Sequence, residues 1–193
     1  MKSFSLSQKH ETILAILVSV LLALILTWPV ILSPVQLLVG HPCNDTWNHV
    51  WGYWWVADAL GNGYWPTSAD LLAYPYGGTL YFIDTMQVIF SLPVQWIGGP
   101  ELAYNFIMIG QLSFCGFSAW LLSRHLTGDA LSSGISLVVF GTAPHILGQA
   151  YNGISETICA GWVPFTIWAL LRNMKNPSLF NTLLLGGAAG VCV

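Results

Sequence analysis

Two short stretches of this sequence hold residues able to move a proton or grip a polar ligand. They are Asn44-Asp45-Thr46-Trp47-Asn48-His49 and Gln149-Ala150-Tyr151-Asn152-Gly153-Ile154-Ser155-Glu156. In the first, an imidazole follows a carboxylate by four residues, so on a helix Asp45 and His49 share one face. Such a pair can act as a general base or offer oxygen and nitrogen ligands to a divalent cation, Mg or Mn. Asp45 also stands where a helix N-cap is expected, and accepting backbone N–H bonds there would account for it by itself. In the second stretch Glu156 enters the following apolar segment near its first turn. A carboxylate at membrane depth is costly and faces a cavity or a partner, although the helix macrodipole also favours an acid there.

Three further features are weaker. Pro75-Tyr76-Gly77-Gly78 with Asp84 forms a patch whose glycines allow close backbone approach to a ligand, a structural turn being the simpler reading. His145, just after Pro144, reads as a packing residue, and Asn44-Asp45-Thr46 fits a glycosylation acceptor pattern. Of the four cysteines, Cys115, Cys159 and Cys192 sit in apolar runs as small hydrophobes, while Cys43 lies in a polar loop; none has metal-ligand spacing. No P-loop, GxSxG, HExxH or dinucleotide fingerprint occurs.

The elements that must position these residues belong to a membrane protein. The 193 residues are 55% hydrophobic and only 7% charged, with a mean hydropathy of +0.66. Soluble domains carry roughly 25% charged residues. A net charge of −3 offers no basic stripe for nucleic acid, which is excluded as a partner. The expected fold is all-α, a polytopic transmembrane helix bundle with spans at about 12–32, 101–123, 130–151, 154–172 and 178–193. It forms one membrane domain, cut short at its C-terminal end.

Between the first two spans, residues 40–99 read as a large extracytoplasmic loop, polar, aromatic and rich in Gly and Pro. A helix over Asp45–Leu60, stopped by Gly61-Asn62-Gly63, carries indoles that favour the headgroup level. The apolar stretch 85–98 is too short to span and contains Pro93, so it reads as a second interfacial or re-entrant helix. With that choice Lys2, Lys9, Arg124, Arg172 and Lys175 all fall on the cytoplasmic side, as the positive-inside rule requires, and the N-terminus is cytoplasmic. Asp45, Asp58, Asp70, Asp84, Glu101 and Glu156 then gather at the opposite face.

This order, together with Tyr74-Pro75-Tyr76-Gly77-Gly78-Thr79-Leu80, Gly99-Pro100-Glu101-Leu102-Ala103-Tyr104-Asn105 and Asn152-Gly153-Ile154-Ser155-Glu156, resembles the GT-C superfamily of membrane glycosyltransferases, in particular its bacterial polytopic members. The resemblance implies a bacterial inner-membrane protein that moves a sugar from a polyprenyl-phosphate donor, a lipid-linked partner in the bilayer, to an acceptor hydroxyl at the extracytoplasmic face. It assigns catalysis to Asp45, as base or metal ligand, and to Glu156 as its assistant or co-ligand. His49, Trp47, Tyr76, Asp84 and Asn152 would then bind substrate. No DxD motif accompanies Asp45, and family members are longer than this chain. With every Lys and Arg inside, the departing phosphate would rely on a metal, on His49, or on basic residues of a C-terminal part not present here. Two other classes compete. In a transporter or channel subunit, Gln111, His145 and Gln149 would line a path. In a non-catalytic scaffold, the tryptophan-rich helix would only anchor the loop.

Overall fold

The computed structural model describes residues 8–79 and 85–191. Its elements are α1 (Gln8–Leu26), α2 (Thr46–Gly61), a two-stranded antiparallel hairpin of β1 (Ser68–Ala69) and β2 (Gly78–Thr79), α3 (Thr85–Thr127), α4 (Ala130–Gly141), α5 (Pro144–Asn152), α6 (Trp162–Lys175) and α7 (Leu179–Val191). The chain is mostly helical, and three stretches are long and apolar enough to cross a membrane: Gln8–Leu26, Met86–Thr127 and Ala130–Asn152. Their apolar side chains point outward to an extent that water would not tolerate. Leu14, Leu17, Leu21 and Ile25 on α1 are more than half exposed or close to it, as are Leu131, Ile135 and Val139 on α4. Lipid association follows from that surface.

Prolines set several of the breaks. Pro29 ends the first span before a 3-10 turn at Val30–Leu32. Pro144 opens α5, at the position where a missing N–H costs nothing, so the span expected over 130–151 is two helical pieces joined at Thr142-Ala143. The stretch expected as one helix over 154–172 is instead a 3-10 turn, Thr157–Gly161, followed by α6 of 14 residues. The reason is again local: Pro164 fits only in a first turn, and the helix begins two residues before it. Gly98 and Gly99 leave helical geometry inside α3, Gly99 at φ +83°, so a break does separate 85–97 from the long apolar stretch that follows.

The chain divides into two compact units. One comprises residues 1–28, 109–148 and 157–193. Ala15, Trp120 and Leu137 form its central cluster, flanked by Leu22, Phe117 and Leu121. Small residues allow close helix approach there: a Cβ on Gly161 would lie 2.9 Å from the Cys115 backbone. Cys115 Sγ donates to the Ile158 carbonyl at 3.2 Å, and Phe114 packs on Trp162 at 4.7 Å between centroids. Glu11 and Arg124 pair at 2.7 Å, and Asp129 caps α4 by accepting from Ser132 N–H at 2.6 Å.

The other unit comprises residues 29–108 and 149–156. Tyr53, Trp55, Val56 and Ala59 bury one face of α2, and Trp55 and Ala59 pack on Ala69 of the hairpin, with Trp51 and Leu72 around them. Trp55 Nε1–H donates to the Pro66 carbonyl at 3.3 Å, tying the helix to the segment leading into β1. This unit carries the candidate site.

Candidate functional site

Two side chains of α3, Tyr104 and Asn105, organise the backbone on which the site is built. Asn105 is 1% exposed. Its Oδ1 accepts from Val39 N–H at 2.9 Å, and its Nδ2 donates to the carbonyls of Pro34 and Leu37, both at 2.7 Å. One amide side chain thereby satisfies three backbone groups of the irregular segment 34–39, among them the buried Val39 N–H. The Tyr104 hydroxyl lies 2.8 Å from the Val39 carbonyl and 3.1 Å from that of Gly153, so a single proton bridges two chain segments. Tyr53 of α2 meets the Tyr104 ring edge-on at 5.9 Å.

Thr46, the first residue of α2, wedges between two glycines. A Cβ on Gly40 would sit 2.3 Å from Thr46 Oγ1, and one on Gly153 only 2.1 Å away. Both glycines have positive φ, +126° and +75°. Only residues without a side chain tolerate that approach and that backbone together. The turn after α5 is thus held directly against the start of α2.

The contacts between these segments are polar. His49 Nε2 lies 3.4 Å from Glu156 Oε2, and His49 Nδ1 lies 3.2 Å from Ser155 Oγ. Asn44 Nδ2 donates to Asn152 Oδ1 at 2.9 Å. The rings of His41 and Tyr151 stack at 5.3 Å, tilted by 35°. The His49 and Glu156 side chains are 14% and 23% exposed, and the Glu156 Oε2 that faces His49 is itself buried.

A consistent proton arrangement puts Nε2–H of His49 toward the Glu156 carboxylate and the Ser155 hydroxyl proton on Nδ1. The order serine, histidine, carboxylate has the connectivity of a nucleophilic triad. Ser155 is fully buried, however, so no acyl or glycosyl donor reaches its oxygen. Its hydroxyl holds the imidazole on the Nδ1 side while Glu156 meets it on the Nε2 side.

Of the residues singled out in the sequence, His49, Asn152 and Glu156 are drawn into this cluster. Asp45 precedes α2 but makes no side-chain cap to its backbone; it is exposed, and its Oδ1 accepts from Asn48 Nδ2 at 3.4 Å. Trp47 is 56% exposed on the first turn of α2. Tyr76 is 93% exposed in the hairpin turn, where Gly77 takes φ +71°. Asp84 lies outside the described residues. As to the Mg or Mn expected on Asp45 and Glu156, no group of three or more His, Cys, Asp or Glu side chains converges as a metal site among the described residues. Both ring nitrogens of His49 face protein side chains, Ser155 and Glu156. His41, Asn44, Ser155, Thr46 and the pair Tyr104-Asn105 carry the site without having been singled out for it. The signal for Thr46 was available in principle, since Gly40 precedes the first polar stretch and Gly153 lies within the second.

Compared with known protein families, curated proteins and solved structures, the chain gives no match.

Proposed function

We propose that the chain is a membrane glycosyltransferase-like protein of the GT-C kind, in which Glu156, paired with His49, removes the proton from an acceptor hydroxyl. The acceptor oxygen forms its bond to the anomeric carbon of the sugar as the bond from that carbon to the polyprenyl phosphate breaks. The phosphate leaves with the electron pair, and the proton ends on the carboxylate. In this reading α2 and residues 85–97 lie at the outer membrane surface, which the exposures of Trp47, Trp54, Trp96 and Ile97 support (56%, 40%, 77% and 83%). Asp45 sits at the rim, and Asn44 and Asn152 offer amide donors to sugar hydroxyls or to the phosphate.

The observation that carries the reading is the meeting of His49 with Glu156 and Ser155 at 3.4 and 3.2 Å, across more than 100 residues of chain. A partly accessible carboxylate–imidazole pair held by a third side chain is the arrangement proton transfer needs. The test is transfer of radiolabelled sugar from polyprenyl phosphate to envelope acceptors by the full chain in proteoliposomes. Wild type transfers label, and Glu156→Gln lowers the rate by about 100-fold or more. Absence of transfer by wild type, or an unchanged rate in Glu156→Gln, overturns the reading.

A further inference from the structure

Away from that chemistry, the unit built from residues 1–28, 109–148 and 157–193 contains a cavity of about 440 Å³ among the ends of α1, α3 and α6. Arg124, Arg172 and Lys175 line it, together with His125, Trp120 and Trp168. Three of the chain's five Lys and Arg residues therefore share one cavity. A cation in the last turn of a helix compensates the macrodipole, which explains a basic residue on α3 and another on α6 singly. It does not explain their convergence on one hollow.

The three charges are not equivalent. Arg124 is held by Glu11, at 2.7 and 3.0 Å, and by the Gly128 carbonyl, so its charge is largely answered within the protein. Arg172 lies over the Trp168 ring at 5.3 Å, a contact that fixes the guanidinium without neutralising it. Lys175 is exposed, one turn further along α6. Glu11 and Asp129 both answer Arg124, and with no carboxylate in the lining Arg172 and Lys175 leave the cavity with a positive excess. On α1 the stripe that starts with Gln8 and Thr12 of the lining continues one and two turns on as Ile16 and Val20, 43% and 39% exposed. α1 is apolar from Ile13 to its end apart from buried Ser19, following Thr12 of the lining.

We infer that this cavity binds the phosphate headgroup of an anionic glycerophospholipid, with Arg172 and Lys175 on the phosphate and the acyl chains along the exposed apolar faces. Charge complementarity selects the anion, and the position at the edge of the apolar helical surface selects a lipid over a soluble phosphate. The inference does not depend on the sugar-transfer reading.

The test is native mass spectrometry of the full chain released from micelles titrated with phosphatidylglycerol or, in parallel, phosphatidylcholine. Wild type retains phosphatidylglycerol preferentially, and Arg172→Gln with Lys175→Gln weakens its retention roughly 30-fold, about fivefold per cation. Arg124 stays untouched so that its pair with Glu11 holds the helices. Should the double variant misfold by circular dichroism, Lys175→Gln alone reads out the fivefold loss. Equal retention of the two lipids, an undiminished preference in the folded variant, or displacement of phosphatidylglycerol by millimolar inorganic phosphate each overturns the inference; the last would assign a soluble phosphate instead.

Discussion

Gly153→Ala tests most directly how the site is assembled. The added methyl would meet Thr46 Oγ1 at 2.1 Å and Thr46 Cα at 2.8 Å, and an L-residue at φ +75° is strained whatever the space. The left-handed backbone costs about 1–2 kcal/mol for a residue with a Cβ. Overpacking against a fixed neighbour adds about 1–3 kcal/mol. The sum is roughly 2–5 kcal/mol, which at about 2–4 °C per kcal/mol for a chain of this length lowers the unfolding midpoint on the order of 10 °C. Any relaxation must move the turn off α2, and that turn carries Asn152, Ser155 and Glu156. Under the proposed function, transfer activity should therefore fall more steeply than stability alone would dictate at temperatures where the protein remains folded. Thr46→Ala in the same chain removes the nearer contact but leaves the Cα, so it restores part of the midpoint. Gly148→Ala serves as control, since a Cβ there meets open space on a helix. Tryptophan fluorescence during thermal unfolding in detergent reads the midpoint. A Gly153→Ala midpoint within about 1 °C of wild type would refute the wedge and the assembly argued from it.

Other expectations follow from single side chains. Asn105→Ala should destabilise by roughly 3 kcal/mol, because Val39 N–H and the carbonyls of Pro34 and Leu37 lose their shared partner; chemical denaturation in mild detergent measures it. Tyr104→Phe should cost about 1 kcal/mol by the same assay, the loss of one shared proton. Maleimide should label exposed Cys43 rapidly and leave Cys115 unmodified in the folded protein, as mass spectrometry of labelled peptides can report. The Ser132 backbone N–H, aided by the serine side chain and Arg124, holds the Asp129 carboxyl below the usual carboxylate range. A depressed folded-state value means the contribution is present above the unfolded pKa and is lost as pH falls through the folded one. Asp129→Asn should therefore flatten part of the acid limb of a stability–pH profile below about pH 4.

How much of this could be read from residues alone depends on the range of the forces involved. Apolar runs longer than a bilayer core, prolines at helix starts and the glycine pair at 98–99 act within a turn or two. Helicity, three of the five expected membrane-compatible stretches, the break in α3 and a helix close to Asp45–Leu60 were accordingly legible. So were His49 and Glu156 as groups worth watching, because a carboxylate or an imidazole beside an apolar segment is conspicuous in one dimension. The interruptions after Gly141 and Gly153 were harder: mean hydropathy does not register a proline that merely resets a helix start. The partnership itself was decided only in three dimensions. Nothing in Asn44-Asp45-Thr46-Trp47-Asn48-His49 says that Asp45 faces solvent while His49 turns inward to meet Glu156. That choice is made by Thr46 packing between Gly40 and Gly153 and by Tyr104 bridging Val39 and Gly153, contacts in which steric fit and one shared proton set the register and of which all but Thr46–Gly40 join residues 49 to 107 apart. Sequence spacing carries no record of such contacts, because each sets one side chain against backbone atoms that every residue possesses.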